Sequence, residues 1–551
     1  MRHPLAAPGA MFVLSCLLCC ALGCTKVSTN TSVPGGRHSW TQPGVLRVAV
    51  PQDVKSLNPL LSSSTVDGFV DRLLFEPLLS ADPSGHPVPI LASVVPTQAN
   101  AGISADGLTI TYRLRPGIRW SDGVAVSSAD VRWTWTAILN SANNVVSRHG
   151  YDVIRDIQTP DATTVVVHLK HRFAPFVNTF FAESDQPYEI LPAHVLRGLS
   201  DLNHADLNTA PTVSDGPFQF REWVHGDHIT VDANPNFFFG APKLQRIVIQ
   251  VVPDENTSVR LLSSHAIDYI FQASINTFHD LRNAPGVRIA WNNMNGYQSL
   301  EFNLRSPILR DPRVRTAIAS AIDKRQLVQD LTAGQELQAT EDIPSWMWAY
   351  DPAVQPPPFD ERRARSLLGA AGYAPGPGGL LYRNGAALRL LMVSDIGDAT
   401  RRKLVVLVQS MLRRVGIDGT IKLYPADLLY APAGMGGILH NGKFDVIFFG
   451  WYSGLDPDDA SQFTCANFPP QGYNDSHYCN AEMEQAQRTA LSDYGLQSRR
   501  AAYARIQMLL ARDNPEVFFW WQRQQEPVSV DFKGFSPNPV VESWNAWQWS
   551  I

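Results

Sequence analysis

Hydrophobic positions along this chain switch between a period of two and a period near three and a half. Leu108, Ile110, Tyr112 and Leu114 alternate with Thr109, Thr111, Arg113 and Arg115, which predicts a strand with one buried face. Asp122 and Gly123 suit a tight reversal, so a hairpin is expected there. Ser127, Ser128, Ala129 and Asp130 then open a helix through Val131, Trp135 and Ile138. Residues 45–50 form an apolar strand that enters a turn-rich loop, and Val66, Phe69, Leu73 and Leu74 follow at helical spacing. Residues 247–254 read as another strand. Asp311 and Pro312 start a helix whose stripe is Val314, Ala317, Ile318, Ala321 and Ile322, with Gly334 as its stop. Leu404, Val405, Val408, Leu412 and Val415 mark a further helix. Residues 444–450 are apolar throughout, the signature of a buried strand. Strands and helices thus alternate, which predicts an α/β protein.

The N-terminus breaks this pattern. Arg2 and His3 precede a nearly continuous apolar run over residues 11–22, too short to cross a membrane and suited to a signal-peptide core. It ends in Ala21, Leu22, Gly23 and Cys24, which resembles the lipobox of bacterial lipoproteins, so Cys24 is the expected lipidation site. Simple secretion is the alternative. The next twenty residues are rich in Ser, Thr, Pro and Gly and read as a flexible tether. Four of the 6 cysteines lie in the targeting segment, leaving Cys465 and Cys479. In an exported protein such a pair suggests one disulfide, with two free thiols as the alternative. What remains is too long for a single core, so two or three domains are expected.

Charge excludes one class of partner. Lys and Arg number 46 against 51 Asp and Glu, and no basic tract of the kind that grips nucleic acid is present. The chemistry of catalysis is also missing. There is no GxSxG, no HExxH and, in the folded part, no CxxC. His225 and His228 are too few for a metal site. No catalytic residue, metal or cofactor is expected.

Residues 104–140 as a string closely resemble the signature of the family 5 extracellular solute-binding proteins, the dipeptide- and oligopeptide-binding components of ABC importers. Further blocks follow in family order: residues 44–92, 215–268, 299–334 and 359–373. The family pattern "DxRVRxAxxxAIDR" matches at Asp311 to Lys324 almost residue for residue. Asn58 and Asp215 stand where the family usually has Asp and Thr. Arg315 is read as structural, satisfied by interior partners on its helix flank.

The resemblance implies a type II periplasmic-binding-protein fold, two lobes about a hinged cleft plus a smaller extra domain. Expected boundaries are a signal peptide over 1–23, a tether over 24–43, lobe I over 44–79, 206–294 and 523–551, the extra domain over 80–205, and lobe III over 295–522. The hinge is expected near residues 295–300 and 520–525. Ligands bind beyond strand ends in such sheets, and family members bind peptides by strand addition. Gly450, Trp451, Tyr452, Ser453 and Gly454 are therefore the expected cleft contacts, joined by Asp456, Ser64 and Thr65. Both peptide-binding branches carry an Asp three residues after this Trp to pair with the peptide's α-ammonium, and this chain has Gly454 there. Either Asp456 takes over, or the ligand has no free amine. The region of the dipeptide binders' carboxylate-binding Arg offers Asp395 and Asp398 first, with Arg401 and Arg402 placed on the next helix. Cys465 and Cys479 fall where dipeptide binders have a disulfide.

The resemblance implies a lipid-anchored monomer at the outer face of the cytoplasmic membrane or in the periplasm. It would deliver a peptide or peptide-like solute to ABC permease subunits. The alternative is a non-transport lipoprotein that regulates the cell envelope by protein contact.

Overall fold

The computed structural model describes residues 32–33, 36–184 and 186–551. Cys24 and the expected signal segment lie outside them. Within the expected tether, Ser32–Val33 pairs antiparallel with Arg37–His38, next to Gly36 at φ +76°.

From residue 42 onward the organising element is an eleven-stranded mixed sheet. Its order is Asp418–Tyr424, Arg389–Asp395, Val446–Tyr452, Val287–Phe302, Glu516–Ser529, Tyr269–Ile270, Val45–Val50, Arg246–Val251, His228–Ala233 and Phe218–Val224. Leu337–Gln338 pairs additionally with Glu516–Ser529. Arg389–Asp395 and Asp418–Tyr424 are parallel and joined through the helix Ala399–Arg414, whose Leu404, Val405, Val408 and Leu412 are buried as the spacing predicts.

Two strands carry the chain from one end of this sheet to the other. Val287–Phe302 and Glu516–Ser529 pair antiparallel, with register slips between Asn293 and Tyr297 and between Gln298 and Ser299. One end meets a core built from Val48, Phe69, Tyr112, Ile247, Val528 and Trp549. The other end contributes Leu300, Phe302, Val517 and Phe519 to a second core with Ile318, Leu404 and Phe448. Gly296 sits in the slipped stretch, where a Cβ would come within 2.6 Å of the Trp451 carbonyl oxygen. A side chain there would force the strands apart.

Residues 108–115 form the expected strand, Thr109–Arg113, with Ile110 and Tyr112 fully buried. Its ladder partner differs from the expectation. Thr109–Arg113 pairs with Thr164–Leu169, which in turn pairs with Ile154–Asp161. The turn at Gly123 makes only a small reversal, in which Gly123 N–H donates to the Trp120 carbonyl. The following helix is Ser128–Leu139, where the Asp130 carboxylate accepts from Ser127 N–H at 2.8 Å.

The helix expected from Asp311 to Gly334 is two, Pro312–Ala321 and Lys324–Thr332. Asp323 causes the break: its carboxylate accepts from Gln326 N–H at 3.0 Å and caps a new helix. Arg315 is structural, as expected, through backbone carbonyls rather than carboxylates. Its guanidinium donates to the carbonyls of Leu309, Arg310, Asp513 and Asn514. Asp215 also has a structural place, accepting from Glu76 N–H at 3.1 Å while fully buried.

Candidate functional site

The strand Val446–Tyr452 begins among apolar residues and ends at an opening. Val446, Ile447 and Phe448 are fully buried, whereas Tyr452 is half exposed. One edge pairs with Val287–Phe302 as far as Tyr452, opposite Gly296. The other edge pairs with Arg389–Asp395 only at Val446 and Ile447. Beyond Ile447 that edge meets no further strand among the described residues.

The loop after this strand is held by its backbone. Ser453 N–H donates to the Asn295 carbonyl at 2.7 Å, and Asn295 Nδ2 returns a bond to the Gly454 carbonyl at 2.9 Å. Leu455 N–H donates to the Glu183 carbonyl at 3.0 Å, tying the loop to the segment that carries Ser184 and Gln186. Between them lies a cavity of about 520 Å³. Trp451, Tyr452, Ser453, Gly454, Asp456 and Asp458 line one side. Ser147, His149, Phe173, Asn178, Ser184 and Gln186 line the other.

Cys465 and Cys479 form a disulfide. The loop it closes supplies Asn467, Gln471, Gly472 and Tyr473 to the same cavity, with the Tyr473 ring 5.4 Å from Trp451.

The structure thus brings Trp451, Tyr452, Ser453, Gly454 and Asp456 together. Gly450 lies below them, where a Cβ would come within 2.4 Å of Gln298 Nε2. Ser64 and Thr65 do not line the cavity. Ser64 caps the helix Thr65–Leu74, accepting from Asp67 N–H at 3.1 Å, and Thr65 Oγ1 donates to Gln272 Oε1 at 2.9 Å.

Asp456 is already committed. Its two oxygens accept from Arg499 Nη1 and Nη2 at 2.9 and 2.6 Å, and Tyr503 donates to it at 3.3 Å. Both side chains are more than nine-tenths buried. Burial disfavours the Arg499 charge, but Asp456 more than offsets it and holds the guanidinium above its ordinary value. Asp458 is the less engaged carboxylate of the cavity wall. It accepts from Ala460 N–H at 3.1 Å and stands 3.9 Å from His149 Nε2.

A second cavity of about 430 Å³ lies beside Gln298, Trp520 and the start of Ala399–Arg414. Arg401 sits in the first turn of that helix, as the sequence places it, but its side chain turns back into the cavity. It pairs with Asp395 at 2.6 Å and Asp398 at 3.1 Å, and donates to Gln298 Oε1 at 3.2 Å. Sequence reasoning missed this return. The available signal was Asp398, which as N-cap fixes which side chains of the first turn face the strand end.

Residues 86–474 match the family model described as "Bacterial extracellular solute-binding proteins, family 5 Middle". The chain belongs to this family. Among its relatives, the oligopeptide-binding protein AppA of Bacillus subtilis (strain 168) is 23% identical over 549 residues, 98% of each chain. The glutathione-binding protein GsiB of Salmonella typhi is 24% identical over 492 residues, 89% of this chain and 91% of GsiB. Among solved structures, NikZ from Campylobacter jejuni in complex with Ni(L-His) superposes with a TM-score of 0.76 at 24% identity, covering 93% of this chain and all 100% of NikZ. AppA from Bacillus subtilis in complex with a nonapeptide gives 0.74 at 22% identity, covering 92% and 99%. The fold of this family 5 protein is therefore the α/β type II periplasmic-binding-protein fold. Its family is one of solute-binding proteins and not of enzymes.

Proposed function

We propose that this family 5 protein captures a peptide or peptide-like solute in the cleft and delivers it to the permease subunits of an ABC importer. The observation that carries the reading is the uncovered edge of Val446–Tyr452 beside two cavities of about 520 and 430 Å³. An extended peptide laid on that edge pairs its N–H and C=O groups with backbone, whatever its side chains. The names of AppA and GsiB, an oligopeptide binder and a glutathione binder, support the same class of solute. An incoming ammonium finds Asp458 in the cavity, since Asp456 is spent on Arg499.

In this reading Trp451, Tyr452, Ser453 and Gly454 contact the ligand directly, while Gly450 acts through Gln298. Thr65 acts from the facing lobe through Gln272, and Ser64 acts through its cap of the helix Thr65–Leu74. Lobe I comprises 44–79, 206–294 and 523–551, lobe III comprises 295–522, and the extra domain comprises 80–205. Closure occurs about the paired strands Val287–Phe302 and Glu516–Ser529, because a ligand touching both lobes stabilises the closed state. Cys24 carries the lipid that holds the monomer at the outer face of the membrane. The open cavities weigh against the non-transport reading, for which a filled cleft is the natural expectation.

Mass spectrometry of material released from the purified protein is the test, with a peptide pool assayed by thermal shift and by compaction in small-angle scattering. Peptides in the eluate and a raised melting midpoint support the proposal. A pool that changes neither midpoint nor radius, with no bound peptide recovered, overturns it.

A further inference from the structure

The second cavity holds two guanidinium groups in different electrostatic states. Arg401 is neutralised by Asp395 and Asp398. Arg523 is not. Its Nε donates to Asn293 Oδ1 at 3.1 Å, its Nη1 donates to the Gln335 carbonyl at 3.0 Å, and its guanidinium lies 4.9 Å from the centre of the Trp291 ring. Every one of these partners is uncharged. Among the described residues no carboxylate forms an ion pair with Arg523, and Nη2 has no acceptor.

The other acidic groups of the cavity are occupied. Glu255 accepts from the N–H and hydroxyl of Ser274 at 2.6 and 2.7 Å. Glu336 accepts from Arg523 N–H at 2.6 Å, and burial pushes its carboxyl up to about 8, so at neutral pH it is mostly protonated. Arg523, half-buried, therefore has no side-chain ion pair among the described residues; its charge pulls Glu336 down, but burial outweighs that pull. Two amide acceptors and one aromatic face fix the plane of the guanidinium, and its strand position opposite Asn293 fixes its place. A planar fork held this way, on a residue that lines the cavity, suits a carboxylate.

Resting on the peptide reading above, we propose that Arg523 receives the C-terminal carboxylate of the bound peptide, the ligand's anionic end being read at the strand pair rather than on the Ala399–Arg414 helix. Asp458 lines the other cavity, so in this proposal the two charged ends of a short peptide meet opposite charges in two different cavities.

The experiment is calorimetric titration of the full chain with tetra-alanine and with tetra-alanine amide. The unmodified protein binds the acid at least tenfold tighter than the amide. Arg523→Gln brings the acid down to the level of the amide, and Arg523→Lys keeps part of the preference. Equal affinity for acid and amide in the unmodified protein overturns the anchor and leaves the peptide reading standing. A preference that survives in Arg523→Gln also overturns it. Binding of neither peptide overturns the anchor, and overturns the peptide reading as well where the peptide pool also gives no shift. If Arg523→Gln fails to fold, the acid-to-amide comparison on the unmodified protein and on Arg523→Lys decides.

Discussion

Asp456 lies in the cleft wall, and its chemistry there is testable by replacing one atom. Asp456→Asn keeps the shape and removes the charge that Arg499 needs. In the native protein the pair is bidentate at 2.6 and 2.9 Å, with the side chains 9% and 6% exposed for Arg499 and Asp456. Breaking a pair buried this deeply costs about 3–5 kcal/mol, because the surviving charge stays out of water without a partner. In thermal denaturation that is a fall on the order of 5–10 °C in the midpoint. Ligand affinity of the folded variant, measured by titration, stays within about threefold of the native value, since both Asp456 oxygens already accept from Arg499. The double variant Asp456→Leu with Arg499→Met recovers much of the lost stability, because apolar replacement of a buried pair is often neutral. An unchanged midpoint together with a tenfold or greater loss of peptide affinity would refute the reasoning and make Asp456 the ammonium partner.

Three other outcomes are expected. Replacing Cys465 and Cys479 by Ser opens a loop of 14 residues' separation, which lowers stability by about 3 kcal/mol on the loop-entropy relation. Urea titration reads that loss, and an unchanged midpoint counts against it. Gly450→Ala pushes on the flexible end of Gln298, 2.4 Å from the new Cβ. It therefore costs less than about 1 kcal/mol of stability but disturbs the Gln298–Arg401 contact, and it weakens ligand binding; equal binding in a titration counts against the close packing. Around the fully buried Arg72, burial pushes Glu189 up to about 8 and Glu76 up to about 7, although Arg72 pulls both down. In the second core, burial pushes Glu516 up to about 8. Each folded value lies above the unfolded value of 4.5, so the folded state binds the extra protons and their contribution is lost as pH rises from about 4.5 to about 8. Thermal melts at pH 5 and pH 8 should give the higher midpoint at pH 5, and the reverse order refutes the assignment.

Much of the local structure was legible because side-chain period reports one face of one element. Ile110 and Tyr112, or Leu404 and Val408, need only a strand or a helix and a core to sit against. Pairing was not legible in the same way. Thr109–Arg113 finds its partner at Thr164–Leu169, and the turn residues at Asp122 and Gly123 speak only for their immediate neighbours. The split at Asp323 shows two valid signals in competition, an apolar stripe running on and a carboxylate poised to cap. In the cleft, the apolar run of residues 444–450 marked only a buried strand and where it emerges; Trp451 to Gly454 were expected as contacts from the family resemblance. The opposite wall, Ser147 to Gln186, carries no comparable mark and is brought there only by the tertiary fold. Arg523 was hidden for the same reason: its distinction is the absence of an acidic partner, which a sequence does not display.

The residues near 549 have a role in the order of folding. Trp549 is fully buried in the first core with its ring 6.3 Å from that of Phe69, and Ser543 donates to the Phe69 carbonyl while Asn538 donates to that of Ala81. Val528 pairs with Tyr269 across the sheet. The earliest helix of the sheet therefore lacks its covering side chains until the far end of the chain arrives. Contacts of such long range form late. The first core is thus completed only by residues from both ends of the chain.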